Sequence, residues 1–203
     1  VSRDVRVCFV GDSFVAGVGD PACLGWAGRL ASDAHAQDVA LTAYNLGVRR
    51  ETSAAILRRF RAECAPRLPE GADARVVLSF GVNDAMHENG GPQVPPDESV
   101  ANLGELLAQA AERRWPVLMV APPPIADDEH NARTAALDKR FAQVCARSEV
   151  PYVRVHQPLR ASAVWAAEVR AGDGAHPGAA GYDELSALIA PQWRAWLATS
   201  PAV

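Results

Sequence analysis

The feature that most constrains this chain is a repeated alternation: short β-prone apolar runs, each ending in a polar or glycine-marked turn, followed by stretches of helical period. The first run, Val5-Arg6-Val7-Cys8-Phe9-Val10, enters Gly11-Asp12-Ser13-Phe14. Further strands are predicted at Val39–Leu46, Arg75–Phe80, Pro116–Ala121 and Val150–Val155. Between them, apolar residues recur at three- and four-residue spacing, as in Ala55, Ile56, Phe60 and Cys64, or Val100, Leu103, Leu106, Leu107 and Ala110. Helices are expected over about 26–36, from Thr52 or Ser53 to 64, and over 98–114, 131–147, 161–169 and 179–197, with His87 to Pro96 a loop. Strands alternating with helices of this length imply an α/β protein with a parallel sheet covered on both faces. A chain of 203 residues suits one such domain over 1–203, and no repeat or linker divides it.

Composition removes several function classes. A net charge of −4 argues against a surface that neutralises nucleic-acid phosphates. No apolar run reaches the ~18 residues that would cross a bilayer. Cys8, Cys23, Cys64 and Cys145 are scattered without zinc spacing, which predicts isolated thiols and no metal. With no secretory segment at the start of the given chain, the expected location is cytoplasmic.

In an open parallel sheet, ligands meet the carboxyl ends of the strands. That edge collects Ser13 after the first strand, the Arg49-Arg50 turn after the second and Asn83 after the third. A serine hydroxyl becomes a nucleophile only with a base, commonly a histidine held by a carboxylate on its other nitrogen. Three Asp-x-x-His pairs occur: Asp84–His87, Asp127–His130 and Asp173–His176. The Asp127–His130 run is charged and follows Pro122-Pro123-Pro124, as a solvated loop would. His87 follows the same strand end as Asn83. Only the third pair is framed by Gly172, Gly174, Pro177 and Gly178, residues that specify a fixed turn opening a helix. Taken singly, Ser13 could cap a helix, Asn83 could be a turn residue and His176 a hydrogen-bonded loop histidine. Three glycine-loop signatures fail: Ala16 breaks a phosphate loop, Ala22 a dinucleotide fingerprint, and Val15 a G-x-S-x-G elbow.

These residues together resemble the GDSL-type, or SGNH, hydrolases. Gly11-Asp12-Ser13-Phe14 is similar to the block carrying the nucleophile, Gly81-Val82-Asn83-Asp84 to the block whose asparagine donates to the oxyanion, and Asp173-Gly174-Ala175-His176-Pro177 to the block carrying the base and its aspartate. The resemblance implies a three-layer α/β/α, flavodoxin-like fold with a five-stranded parallel sheet. It implies a serine esterase or lipase without metal or cofactor, acting on a small-molecule ester with a small or medium acyl group. Catalytic Ser13, Asp173 and His176 are implied, with an oxyanion hole at Ser13, Arg50 and Asn83. Acyl transfer or thioester hydrolysis by the same triad, and a non-catalytic flavodoxin-like binding module, are the alternatives. In Asn45-Leu46-Gly47-Val48-Arg49-Arg50-Glu51-Thr52-Ser53, Arg50 stands where members commonly carry a glycine. Its backbone N–H can still donate, a left-handed backbone there would be costly, and its side chain could narrow the pocket or attract an anionic substrate.

Overall fold

The computed structural model describes residues 3–88 and 90–199. In chain order the elements are β1 (Val5–Gly11), α1 (Ser13–Ala16), α2 (Gly25–Ala36), β2 (Leu41–Gly47), α3 (Ser53–Cys64), β3 (Asp73–Ser79), β4 (His87–Glu88), β5 (Gly91–Pro92), α4 (Pro96–Glu112), β6 (Val117–Val120), α5 (Asp128–Arg147), β7 (Tyr152–Val153), α6 (His156–Ala161), α7 (Ala163–Ala171) and α8 (Ala179–Ala198). Five strands form one sheet in the order β2-β1-β3-β6-β7, every neighbouring pair parallel. This is the flavodoxin-like order, in which the chain reverses its direction of winding after β2.

Strand alternation builds the three layers. In β1, Val5, Val7 and Phe9 face one side with α2, α7 and α8, packing on Trp26, Leu30, Trp165, Ile189 and Trp193. Cys8 and Val10 face the other, against Ile56 and Phe60 of α3, Leu103 and Leu106 of α4, and Phe141 of α5. The same alternation divides Leu118 and Val120 of β6 from Val117 and Met119. Central strands buried on both faces must be apolar at consecutive positions, which is why these runs look continuous in the sequence.

Register brings Gly11 level with Gly47 on one side and Ser79 on the other, so the turns after β1, β2 and β3 leave the sheet at one level. The opposite edge is closed structurally: fully buried Arg75 pairs with Asp73 at 2.8 Å, bonds the Trp196 carbonyl at the end of α8 and covers the Trp196 ring.

Four expectations change. The fifth strand shrinks from 150–155 to two residues; it pairs only with β6 and has Pro151, which lacks an N–H, at its entry. The helix expected over 161–169 is α7, two residues later at each end, and an unexpected short helix, α6, precedes it; the two are divided at Ser162, whose Oγ accepts from Trp165 N at 3.0 Å and caps α7. The loop from His87 to Pro96 contains a small hairpin, and α4 begins at Pro96, where a missing N–H costs nothing. The run from Asp127 to His130 is no solvated loop: Asp127 caps α5, and His130 is buried.

Candidate active site

Ser13 opens the single-turn α1, held over the end of β1 by its neighbour Asp12, whose Oδ1 accepts from Phe14 N at 3.0 Å. The hydroxyl points to His176, with Ser13 Oγ and His176 Nε2 2.7 Å apart. On the other side of the ring, Nδ1 lies 2.7 Å from Asp173 Oδ2. A proton on Nδ1 donates to that carboxylate and leaves the Nε2 lone pair to accept from the serine.

The geometry of the Asp173 turn explains how three residues of chain give both contacts. Asp173 Oδ1 accepts the backbone N–H groups of Ala175 and His176 at 3.0 and 2.9 Å, which curls the chain back on itself. Gly174 takes φ +81°, the left-handed value this reversal needs. With Oδ1 committed to the backbone, Oδ2 is left for the ring. Burial pushes the Asp173 carboxyl up, but the His176 N–H, the His176 ring and the Ala175 N–H outweigh it and hold it at about 2. Phe14 lies against the imidazole with centroids 4.8 Å apart and is itself backed by Trp165. Ala126 N donates to Gly174 O at 2.9 Å, tying the turn to the segment after β6.

The turns after β2 and β3 are laced to the Ser13 turn after β1 and to each other. Val48 N donates to Gly11 O at 3.0 Å, and Asn45 Nδ2 donates to Val15 O at 2.8 Å. A Cβ on Gly47 would collide with the Ala16 backbone, so the two turns approach as closely as only glycine permits. Asn83 Nδ2 donates one hydrogen to Glu51 O at 2.9 Å, which orients the amide and leaves its second hydrogen unused. Arg59 locks the arrangement: it pairs with Glu51 at 2.6 Å and donates to Gly11 O and Leu46 O at 3.1 and 2.8 Å. Asp84 Oδ1 receives Ser53 N at 2.7 Å, fixing the start of α3 to the Asn83 turn. Burial pushes Asp12 up to about 7 and also raises Asp84.

With this geometry in view, a scan against protein-family models matches residues 9–184 to the GDSL-like lipase/acylhydrolase family. The chain belongs to that family. A search of curated protein sequences finds no match. Among solved structures, a lipase/acylhydrolase from Enterococcus faecalis is 24% identical with a TM-score of 0.72, over 98% of this chain and 99% of that one. The psychrotrophic esterase EstA from Pseudoalteromonas sp. is 17% identical with a TM-score of 0.77, over 97% and 100%. An acetylxylan esterase from Geobacillus stearothermophilus, Axe2, is 15% identical with a TM-score of 0.76, over 100% and 98%. At these identities the likeness is one of fold: the SGNH-hydrolase arrangement of sheet and helices.

Among the residues singled out from sequence in this GDSL-like chain, Ser13, Asp173 and His176 are in direct contact, and Asn83 and Arg50 lie on the two adjoining turns. His87 is exposed on β4, and the His130 ring is turned inward, with Nε2 2.8 Å from Val82 O. Arg50 has φ +65°, so the costly left-handed backbone is present. Of the other four non-glycine residues with positive φ among the described residues, Asp38, Arg114 and Glu149 follow helix ends, where this conformation is a common terminator, and Cys23 lies in the loop before α2. Arg50 alone among them joins a strand to a helix. Sequence reasoning missed Glu51 and Arg59. Glu51 supports Asn83 through a carbonyl, which any residue could offer, whereas an arginine nearly two turns into α3, eight positions after a glutamate, was a visible though weak signal.

Proposed function

We propose that this chain hydrolyses a carboxylic ester with a small or medium acyl group through a covalent acyl-enzyme. The observation that carries the reading is the Ser13–His176–Asp173 chain, two contacts of 2.7 Å from hydroxyl through imidazole to carboxylate. As Ser13 Oγ bonds to the ester carbonyl carbon, His176 Nε2 takes its proton. The imidazolium then delivers that proton to the departing alkoxide as the acyl C–O bond breaks. Asp173 fixes the tautomer that leaves Nε2 free and stabilises the transient positive ring. Water repeats the sequence on the acyl-enzyme: it loses a proton to His176, attacks the carbonyl and releases Ser13 with the acid product.

Charge developing on the carbonyl oxygen needs donors already in place. The unused hydrogen of Asn83 Nδ2 and the backbone N–H groups of Ser13 and Arg50 are assigned that role. For Arg50 the left-handed backbone supports the assignment, since it turns the N–H relative to an extended chain without involving the side chain.

The test compares wild type, Ser13→Ala and Asn83→Ala with p-nitrophenyl acetate and a fluorophosphonate probe. Ser13→Ala is expected to lose both turnover and labelling while remaining folded. Asn83→Ala is expected to lose about 10²–10³-fold in kcat and still be labelled, more slowly. Undiminished labelling of Ser13→Ala would place the nucleophile elsewhere, and equal turnover by Asn83→Ala would remove it from the oxyanion hole.

A further inference from the structure

We propose that Arg50, supported by Arg49, selects esters that carry an anionic group, a carboxylate or a phosphate, close to the scissile carbonyl; this rests on the hydrolytic reading above and names the substrate class for it.

Position is the first observation. The turn holding both arginines is fixed at each end to the turns that carry the chemistry: Val48 N to Gly11 O before it, and Glu51 O to Asn83 Nδ2 after it. Neither fixing contact uses the arginine side chains, and both residues are exposed.

Charge is the second. The whole chain is −4, yet neither Arg49 nor Arg50 is in an ion pair among the described residues. The carboxylate next in sequence, Glu51, is held by Arg59 at 2.6 Å. Asp173 is paired with His176, and Asp12 and Asp84 are buried behind the turns. On the far side of the Asn83 turn, Arg133 donates to Ala85 O at 3.0 Å and is likewise in no ion pair among the described residues. Arginines therefore stand on both sides of the Asn83 turn, while Glu51 is matched by Arg59 and Asp12 and Asp84 are withdrawn from the surface; Asp173 keeps its charge beside the neutral imidazole. A guanidinium placed so offers paired N–H donors matched to a carboxylate or phosphate, and an uncharged ester gives it nothing to bind.

Backbone strain is the third. At φ +65° a glycine would serve at lower cost, so the arginine here runs against local backbone preference. Strain at a residue bordering a reacting centre points to a use for the side chain, and anion recognition is the use its chemistry supplies.

The experiment measures kcat/KM for two matched ester pairs, mono-p-nitrophenyl adipate against its methyl ester, and m-acetoxybenzoate against its methyl ester. The first pair places the anion on the acyl side and the second on the alcohol side. Wild type, Arg50→Ala, Arg50→Lys and Arg49→Ala are compared, and the readout is the anionic-to-neutral ratio, which cancels any change common to both members. Wild type is expected to favour the anionic member of at least one pair by about three- to tenfold, with the preference shrinking as salt is added. Arg50→Ala should bring the ratio to that of an uncharged site, Arg50→Lys should keep part of it, and Arg49→Ala should lower it less than Arg50→Ala. A wild-type ratio of one or below in both pairs, or a ratio unaltered in Arg50→Ala, would overturn the proposal while leaving ester hydrolysis standing. Absence of turnover with all four esters would overturn both.

Discussion

Asp127–His130 and Asp173–His176 have the same spacing, and in both the aspartate Oδ1 accepts the backbone N–H of its histidine, at 2.7 and 2.9 Å. The rings then part company. After Asp127 the chain continues into α5, so His130 sits in its first turn with its ring directed into the protein. There Nε2 meets Val82 O at 2.8 Å, and Nδ1 meets Thr134 Oγ1, one helical turn on, at 3.2 Å. After Asp173 the chain reverses at Gly174 instead, which lets Oδ2 reach the ring and turns Nε2 toward Ser13. In these two pairs the Asp-x-x-His spacing gives a capped turn and nothing more, and in the third not even that: Asp84 Oδ1 receives Ser53 N, and His87 lies on β4. Whether the histidine ring turns into the protein or toward Ser13, where the proposed mechanism needs a base, depends on whether a helix or a reversal follows.

Removing each ring breaks the comparison most severely. His176→Ala is expected to lose on the order of 10⁴–10⁶-fold in kcat with the fold retained, since it deletes the group that Ser13 Oγ is hydrogen-bonded to. His130→Ala should do the opposite: kcat within about tenfold, but a loss of ~2–3 kcal/mol in stability, because it opens a cavity and leaves the buried Val82 carbonyl without its partner. Ester turnover and urea melts on the two variants check both. Equal losses of activity would mean the two turns are not functionally distinct.

The aspartates should differ by less, though in the same sense. Asp173→Asn keeps the backbone cap but reverses the tautomer preference of His176, and should cost about 10²–10⁴-fold in kcat. Asp127→Asn also keeps its cap, has no ring contact to lose, and should change stability by no more than about 0.5 kcal/mol. A near-silent Asp173→Asn in steady-state kinetics would remove the carboxylate from the proposed mechanism.

That contrast also shows which parts of the molecule were legible in the sequence and why. Strands covered on both faces had to be apolar at consecutive positions, so β1 and β3 could be placed within two residues. The edge strand β7, bonded on one side and entered through Pro151, had no such pressure and was drawn too long. That Ser13, Asp173 and His176 would meet was legible because the proposed nucleophile and base have to be particular residue types in turns of defined chemistry, and the three side chains do form one hydrogen-bonded chain. His130 was misjudged because the flanking charges of Asp127, Asp128 and Glu129 suggested solvent, whereas acidic residues at that place are what the first turn of a helix favours. Glu51 and Arg59 were missed for a different reason: their work is done on backbone carbonyls brought together by the sheet register, and register is not written in any single residue.

The smallest effect, and the finest test of the contrast, is the pH dependence of stability. Burial lowers the His130 pKa, and His156, buried with Nδ1 3.1 Å from Pro122 O, is lowered for the same reason. Each ring resists protonation when folded but binds a proton freely when unfolded, near the ordinary value of 6.5. The unfolded state therefore holds more protons as pH falls below that value, and stability is lost in the acid direction. Asp12 works in reverse over the neighbouring range: held up at about 7 against 3.8 when unfolded, it keeps its proton in the folded state and lowers stability as pH rises toward 7. Because the two trends overlap, the wild-type profile alone assigns nothing, and the difference between wild type and His130→Gln is the quantity to measure. Glutamine can still donate to Val82 O but does not titrate. Subtracting its melting profile from that of wild type between pH 7.5 and pH 5 should leave a destabilisation of wild type that grows as pH falls, about half of what the double variant His130→Gln, His156→Gln would reveal if the two rings contribute equally. A difference profile that is flat across this range would mean that His130 protonates as readily folded as unfolded, and that its ring is not the neutral structural counterpart of His176.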